Sequence, residues 1–436
     1  HRALRVRPRY PEAFNNLGAL RKDLGRLDEA ESYYRQALRL KPDYPQALNN
    51  LGNLLKDVGH LEKGQTCYQQ ALKYSPDSPE TYNNLGNLLK DRGRLKEAES
   101  CYRRALKFKA GYPEAHSNLL LCLNYLSDRS SQEIARESAN YGQLIAEEAK
   151  PTADRLFPER SNRPDRILRV GYVSPDFRRH SVAYFLEGIL ASHDRKAFQV
   201  FCYSDVRKPD EVTRRLRAYP SHWRDISRLS HEQVSETIGR DMIDILVDLA
   251  GHTARNRLPL FARRNAPLQA TYLGYPNTTG LANMDFRITD SFADPPGMTD
   301  PWYTEKLLRL EPCSLSYSPP EQAPNIQKLP SSQTGRITFC SFNNRPKITG
   351  NTVKIWAEIM RKVPGSRILL KSRQLRDRAT AIELCSSFVK EGIAEDRVKT
   401  LGFLPSLWDH LGLYNRVDIA LDTFPYNGTT TTCEAM

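Results

Sequence analysis

A run of four threonines near the end of the chain is the first feature that suggests chemistry. It lies in LDTFPYNGTTTTCEAM, after an apolar segment and an Asn-Gly turn. The run could be low complexity, a β-favouring segment or a set of helix N-cap residues. One threonine is enough to cap a helix, so four in a row favour ligand contact. We predict that a helix begins at CEAM, from Cys433, directly after the threonines. Because a helix start attracts anions, we expect Thr429, Thr430 and Thr431 to bind a phosphate.

A lysine follows another apolar segment of the same region. TFCSFNNRPK places Asn343, Asn344 and Lys347 after a predicted strand, and the later helical segment LWDHLGLYNRV carries His410. A surface lysine is the ordinary interpretation, but parallel sheets bind ligands beyond their strand ends. A lysine and helix N-terminal amides can neutralise a departing pyrophosphate without a metal ion. These residues therefore suggest sugar transfer from a nucleotide.

Polar loops also follow apolar runs in the middle of the chain. ILRVGYV leads into SPDFRRHSV, IDILVDLA into GHTARNRL, and LQATYLGY into PNTTG. A lone histidine is more often structural than catalytic, but two at the strand ends of one sheet leave both roles open. The chemistry-bearing side chains in these loops are Asp176, His180, His252, Tyr275, Thr278 and Thr279.

Two parallel sheets are needed to position these loops. From residue 167, short apolar runs alternate with helical stretches, which predicts an α/β fold. We expect an N-terminal lobe over residues 167–320 and a C-terminal lobe over residues 335–436, joined by a polar, proline-rich connector. No GxGxxG motif follows a predicted strand, so an ordinary dinucleotide fold is excluded.

Residues 1–125 form an internal repeat with a period of 34 residues, the length of a tetratricopeptide helix-turn-helix unit. Similar segments start at Tyr10, Tyr44 and Ser78, and a fourth opens at Tyr112. The opening HRALRVRP is predicted to be the tail of an earlier repeat, and residues 126–166 a helical linker. The fold class is thus an α-helical superhelical solenoid followed by two α/β lobes.

One asparagine recurs in every repeat and predicts a ladder along the concave face of the solenoid. Such a ladder can hydrogen-bond an extended peptide backbone; the alternative is a solvated face that repeats because the units duplicated. The ladder consists of Asn16, Asn50, Asn84 and Asn118.

Composition excludes several other classes of protein. The net charge is +13, but the basic residues are dispersed, so we expect no nucleic-acid partner. No apolar run approaches the roughly 18–20 residues of a membrane span, and we expect no membrane association. The 8 cysteines lack zinc spacing and indicate a reduced, cytoplasmic protein. No Asp-X-Asp pair or carboxylate cluster occurs, so we expect no metal site.

Long motifs carry a resemblance to a known family. RVGYVSPDFRRHSVAYFLE, DILVDLAGHTARNRL, SFNNRPKIT and LDTFPYNGTTTTCEAM closely resemble the protein O-linked N-acetylglucosamine transferase family, in particular its bacterial and plant SPINDLY-like members. The resemblance implies a two-lobed GT-B glycosyltransferase that needs no metal ion or other cofactor. It would transfer N-acetylglucosamine from UDP-GlcNAc to Ser/Thr hydroxyls of intracellular proteins. SPINDLY-type members use GDP-fucose instead, and an inactive peptide-binding scaffold is a further alternative.

The resemblance also implies a role for each matching residue. Lys347 is similar to the lysine that stabilises the leaving diphosphate, His180 to the histidine beside the donor phosphates and acceptor, and Asp176 to a proton relay. The positions implied to bind the donor are Asn344, His410, Thr430, Thr431, Glu434 and, in the sugar-pocket loop, Leu273, Gly274, Tyr275 and Pro276.

Some positions depart from the family pattern. His252 stands where animal members have a tyrosine, and its contact with the donor is predicted less directly. Residues 123–179 contain no histidine to match the base proposed for animal members. The family continues beyond CEAM, so the second lobe is expected to be incomplete.

Overall fold

The computed structural model describes residues 8–149, 166–320 and 323–436. They form two compact units, the first holding the described residues up to 115 with 122–128 and 323–436, the second holding 116–121 and the described residues of 129–320. Most of the opening HRALRVRP and of the proline- and arginine-rich linker segment lies outside the described residues. None of the described helices is long and apolar enough to cross a membrane.

Six helices in three antiparallel pairs form the repeat region. Their bounds are α1 Pro11–Asp23, α2 Leu27–Leu40, α3 Pro45–Asp57, α4 Leu61–Tyr74, α5 Pro79–Asp91 and α6 Leu95–Phe108. Within each pair a glycine lets a tyrosine ring approach the first helix. A Cβ on Gly18 would lie 2.6 Å from Cε1 of Tyr34, and a Cβ on Gly86 would lie 2.6 Å from Cε1 of Tyr102. This close crossing confirms the predicted repeat fold.

Two further helices follow the pairs, α7 Pro113–Leu123 and α8 Ser131–Glu148. The start of α8 is fixed by a capping box: Ser130 Oγ accepts from the Glu133 N–H at 3.2 Å, and Glu133 Oε2 accepts from the Ser130 N–H at 2.8 Å. Residues 116–121 of α7 and all of α8 belong to the second unit.

A seven-stranded sheet forms the centre of the second unit, in the order β3-β2-β1-β4-β5-β6-β7 with every pair parallel. The strands are β1 Leu168–Ser174, β2 Phe198–Ser204, β3 His222–Asp225, β4 Ile245–Asp248, β5 Leu268–Tyr272, β6 Phe286–Thr289 and β7 Lys306–Arg309. The helices are α9 Ser181–Ser192, α10 Glu211–Leu216, α11 His231–Asp241 and α12 Leu258–Phe261. The predicted strands are present. The structure also contains β3, β6 and β7, which the sequence did not predict. These strands have four residues each and carry charged side chains.

Alternation along the strands buries both faces of this sheet. Val170, Val200 and Val247 pack in one hydrophobic cluster, whereas Val173 and Leu246 pack in another. Two covered faces are what a parallel sheet requires. The strand order reverses between β1 and β4, so the switch point lies between the loops that carry His180 and His252.

A second parallel sheet, in the order β10-β9-β8-β11, belongs to the first unit. Its strands are β8 Thr338–Ser341, β9 Arg367–Lys371, β10 Val398–Leu401 and β11 Ile419–Ala420. Its helices are α13 Ser331–Thr334, α14 Gly350–Lys362, α15 Arg378–Lys390, α16 Leu407–Gly412 and α17 Thr430–Ala435. The switch point lies between β8 and β11, whose loops carry Lys347 and the threonines.

One helix boundary differs from the prediction. The sequence suggested a helix from Cys433, but α17 begins at Thr430, and the Cys433 N–H donates to the Thr429 carbonyl at 3.0 Å. Three of the four threonines therefore lie in the first turn of the helix.

Candidate active site

Lys347 ends a 3₁₀ turn, Arg345–Lys347, that follows β8. Its Nζ donates to the carbonyl oxygen of Asn427 at 2.7 Å and lies 4.5 Å from the ring centroid of Tyr426. Burial lowers the pKa of Lys347 to about 8, while the nearby Asp422 carboxylate acts in the opposite direction. The lysine thus joins the two loops of the switch point, and the described residues leave two of its three N–H donors unused.

Asp422 stabilises the threonine loop, which is the segment 421–429 between β11 and α17. Its Oδ1 accepts from the N–H groups of Thr423 and Gly428 at 2.8 and 2.7 Å, and from Asn343 Nδ2 at 3.2 Å. Because Asn343 lies after β8, this carboxylate ties the β8 and β11 loops together. Sequence reasoning missed Asp422, although an Asp at a strand end before a turn signals such capping.

The threonine hydroxyls divide into two kinds. Thr431 Oγ1 donates to Asn343 Oδ1 at 3.0 Å, so it stabilises the loop. The hydroxyls of Thr429 and Thr430 form no hydrogen bond with the residues that the structure describes, and Thr429 is exposed. Thr429 and Thr430 are therefore the hydroxyls left available for an anion.

A paired histidine and carboxylate lie beside the same loops. His410 Nε2 is 3.0 Å from Glu434 Oε2, and both side chains are mostly buried. His410 Nδ1 is buried and has no hydrogen-bond partner within the described part of the chain. Lys371, at the end of β9, has its pKa lowered by burial and raised in part by Glu434. Sequence reasoning did not select Lys371, although it too ends a strand.

In the second unit, Asp176 and His180 follow β1. Asp176 is buried, and its Oδ1 accepts from Arg178 Nη2 at 3.0 Å, whereas its Oδ2 is 3.7 Å from His180 Nδ1. His180 Nδ1 accepts from the Val182 N–H at 3.3 Å, so a neutral ring carries its proton on Nε2. Burial lowers the pKa of His180, which favours this neutral form. The ring can therefore donate a hydrogen bond from Nε2.

The loop after β5 is backbone-strained. Leu273 has φ +70°, a left-handed conformation that costs a non-glycine residue about 1–3 kcal/mol. A Cβ on Gly274 would collide with the Leu249 carbonyl, so only glycine fits there. Tyr275 is buried, and its carbonyl accepts from Arg287 at 2.7 Å. Pro276, the last residue of the predicted sugar-pocket loop, accepts weakly from Tyr303 Oη at 3.4 Å.

Buried Glu305 stabilises the end of this loop. Its carboxylate accepts from the Thr278 hydroxyl at 2.7 Å, from the Thr279 N–H at 2.7 Å and from the Thr279 hydroxyl. Thr278 and Thr279 are thus internal donors rather than free ligand groups. Nothing in the sequence marks Glu305, because it lies 26 residues beyond Thr279.

His252 is buried, unlike His180. It is 0% exposed, its Nδ1 is 3.0 Å from Ser117 Oγ, and its Nε2 is 2.9 Å from the Thr279 carbonyl oxygen. Burial lowers its pKa to about 3. Both ring nitrogens are engaged within the described residues, which favours a structural role for His252 over the expected contact with a nucleotide sugar.

The asparagine ladder is also less uniform than predicted. Asn50 Nδ2 donates to Asn15 Oδ1 at 2.9 Å, and Asn84 Nδ2 donates to Asn49 Oδ1 at 3.1 Å. These bonds link neighbouring repeats and use one N–H of each amide. Asn16 is exposed, whereas Asn118 lies in the second unit and is only 7% exposed. The fourth position therefore does not offer an accessible amide, because α7 is packed within that unit.

The described residues combine helical repeats with two parallel sheets, and a lysine and threonines lie at the switch point of the second sheet. Comparison with known proteins identifies the family to which this combination belongs. The model of Glycosyl transferase family 41 matches residues 113–313, and Tetratricopeptide repeat models match residues 11–44 and 43–111. The solved structure of a mutant O-GlcNAc transferase from Thermobaculum terrenum is similar to this chain, with 33% sequence identity and a TM-score of 0.90. The match covers 98% of this chain and 80% of that protein. The chain belongs to glycosyl transferase family 41.

Curated relatives match a smaller share of their own length. The tomato (Solanum lycopersicum) protein "Probable UDP-N-acetylglucosamine--peptide N-acetylglucosaminyltransferase SPINDLY" is 39% identical over 326 residues, 73% of this chain and 34% of the relative. The corresponding protein SEC of Arabidopsis thaliana is 30% identical over 277 residues, 61% of this chain and 27% of the relative. The chain thus spans about a third of the length of the SPINDLY relatives it matches.

Proposed function

We propose that the protein is an inverting protein O-glycosyltransferase that transfers N-acetylglucosamine from UDP-GlcNAc to Ser/Thr hydroxyls. The environment of Lys347 carries this proposal. A half-buried ammonium group at a switch point, beside the start of a helix, is the arrangement that a leaving diphosphate needs. The names of the matched relatives, which specify UDP-N-acetylglucosamine, support the choice of donor.

In this reaction the acceptor oxygen forms a bond to the anomeric carbon as the bond from that carbon to the β-phosphate oxygen breaks. The bonding electron pair leaves with the diphosphate. We propose that the ammonium group of Lys347 neutralises the negative charge that the diphosphate gains. The backbone N–H groups and the free hydroxyls of Thr429 and Thr430 would bind the phosphates. Stabilising charge that develops in the transition state is commonly the largest catalytic contribution.

His180 and Asp176 are proposed to act on the acceptor side of the transfer. The His180 Nε2–H can donate to a phosphate or sugar oxygen, because Nδ1 already accepts from the Val182 N–H. Asp176 would relay the proton that the acceptor hydroxyl loses. Leu273 to Pro276 are proposed to line the sugar pocket, and the strain at Leu273 supports a functional constraint there.

We propose that His410 lies near the nucleotide base, that Glu434 holds the ribose and that Asn344 contacts the nucleotide. The buried, unpartnered Nδ1 of His410 supports a ligand contact at this position. The same residues can bind GDP, so SPINDLY-type O-fucosylation with GDP-fucose is the second candidate. Six relatives that match this chain with 38–40% identity bear SPINDLY names. An inactive scaffold is the third candidate, and the retained Lys347 argues against it.

Acceptor proteins are proposed to bind along the repeats. The exposed amide of Asn16 and the remaining hydrogen-bonding capacity of Asn50 and Asn84 are suited to a peptide backbone. Residues 8–125 would thus form a peptide-binding module, residues 167–320 the N-terminal catalytic lobe and residues 335–436 the nucleotide-binding lobe. We further propose intracellular acceptors, catalysis without a metal ion, and no nucleic-acid or membrane partner.

Side-by-side calorimetric titration of UDP and GDP into the chain tests the donor. We expect UDP to bind at least tenfold more tightly than GDP, a difference of about 1.4 kcal/mol. The reverse preference would move the assignment to GDP-fucose with the same role for Lys347. Binding of neither nucleotide by the folded chain would contradict glycosyl transfer by this chain and favour the scaffold.

A further inference from the structure

The turn of the third repeat lies against the loop that carries Lys347, within the first unit. Gly93, between α5 and α6, has φ +78°. A Cβ at this position would overlap the guanidinium group of Arg345 and would lie 2.8 Å from Nη2. The absent side chain therefore leaves the space that Arg345 occupies.

Arg345 is unusually buried for an arginine on a ligand-binding loop. Only 9% of it is exposed, and its Nη1 donates to the carbonyl oxygen of Ile348 at 2.6 Å. Burial lowers the pKa of Arg345 to about 10, with Glu383 acting against this and Arg92 adding to it. Arg92 in turn donates to Glu383 and, at 2.6 Å, to Gln65 Oε1. The guanidinium is thus enclosed by residues of the repeats and of α15.

The Ile348 bond closes the turn that presents Lys347. The Lys347 N–H donates to the Asn344 carbonyl at 3.0 Å, and the Ile348 N–H donates to the Arg345 carbonyl at 3.1 Å. The side chain of Arg345 then returns to the Ile348 carbonyl, so the backbone of Lys347 is held from both sides. A shift of Arg345 would move the base of the Lys347 side chain.

The ammonium end of Lys347 has a second link to the helical part of this unit. Its Nζ lies over the ring of Tyr426, and the Tyr426 ring centroid is 4.8 Å from that of Tyr125. Asn351 Nδ2 donates to Ser127 Oγ at 2.7 Å. Residues 122–128 therefore contact Tyr426, the ring next to the lysine, and the start of α14.

We propose that Arg345 is a positioning residue for Lys347 and that the turn at Gly93 holds it in place, so that the repeat array sets the geometry of the diphosphate site. This inference rests on the proposed role of Lys347. It gives the repeats a part in donor binding in addition to acceptor binding.

Gly93→Ala and Gly25→Ala form a matched pair for the test. Gly25 occupies the same turn of the first repeat with φ +76°, but a Cβ there would have no neighbour within 4 Å. Both substitutions introduce similar backbone strain, and only Gly93→Ala displaces Arg345. By calorimetry we expect Gly25→Ala to keep the UDP affinity within about twofold and Gly93→Ala to weaken it about tenfold, the scale of one charged hydrogen bond.

The pH dependence of UDP binding separates displacement of Lys347 from general damage. Around the ammonium lie the Asp422 carboxylate, the Tyr426 ring and the Asn427 carbonyl. In the parent chain affinity should begin to fall near pH 8, where free Lys347 loses its proton. A displaced, better hydrated lysine has a higher pKa, so in Gly93→Ala the fall should begin at higher pH. Loss of folded protein alone would lower the binding stoichiometry without moving this onset.

Arg345→Met provides an independent route if Gly93→Ala does not fold. It removes the bond to Ile348 and should reproduce the weaker UDP binding, and Arg345→Lys should restore part of it. Equal UDP affinities for Gly25→Ala, Gly93→Ala and Arg345→Met would overturn the positioning role. If Lys347→Ala itself bound UDP normally, the proposed function of Lys347 would fail instead, so the two failures can be distinguished.

Discussion

The two parallel sheets have similar topology, but neighbouring loops satisfy the polar side chains around them to different extents. Around the first sheet, His252, Glu305 and Asp248 are buried and hydrogen-bonded, and burial raises the pKa of Asp248 to about 6, whereas His180 keeps its Nε2 donor. At the second sheet, Lys347 and Thr430 keep donors that the described residues do not use. A polar residue at a strand end is therefore not by itself a ligand contact. What distinguishes the two cases is whether neighbouring loops already satisfy its hydrogen bonds.

Lys347→Ala should give the largest effect, lowering both UDP binding and activity while leaving the stability of the fold almost unchanged. We expect turnover to fall by about 10²–10³ because the leaving diphosphate loses its main counter-charge. Initial transfer rates measure this loss, and the thermal midpoint should change little because the lysine makes a single hydrogen bond with the residues that the structure describes. The exposed Lys354→Ala on α14 is the control. Full turnover in Lys347→Ala would refute the proposed mechanism.

His252→Ala should show the opposite behaviour at the first sheet. Removing a buried ring that packs against Tyr141 and Tyr275 should cost about 3 kcal/mol in the free energy of unfolding. Denaturant titration measures this cost. His180→Ala, in the loop that follows β1 of the same sheet, is the comparison. This variant should lose about 1 kcal/mol or less in the free energy of unfolding, and its main effect should be a lower rate of sugar transfer. If His252→Ala kept its stability but lost donor binding, the structural role of His252 would be wrong.

The two neighbouring threonines give the smallest and sharpest comparison. Thr431→Val should lower the free energy of unfolding by about 1 kcal/mol, since it removes the bond to Asn343. Thr430→Val should leave stability unchanged and weaken UDP binding about fivefold. Calorimetric titration and denaturant unfolding of both variants test this. Identical behaviour of the two variants would remove the distinction between structural and free hydroxyls.

The repeat period, the alternation of apolar runs with helices, and the strand-end position of Lys347 could all be read from the sequence. These features follow from local spacing: a repeat needs its glycine and tyrosine at fixed separation, and a buried strand needs a continuous apolar run. The short, partly charged strands β3, β6 and β7 lack that signal, because neighbouring strands stabilise them in the sheet.

Tertiary structure alone decided which polar side chains are free. Asp422, Glu305 and Arg345 act through partners, some of them distant along the chain, such as Gly93 for Arg345, and the sequence does not record such contacts. His180 and His252 both follow apolar strands in the sequence, but only the structure shows that one ring keeps a donor and that both nitrogens of the other are engaged. The physical reason is that local pattern determines where a side chain lies along the fold, whereas packing determines whether its hydrogen bonds are already satisfied.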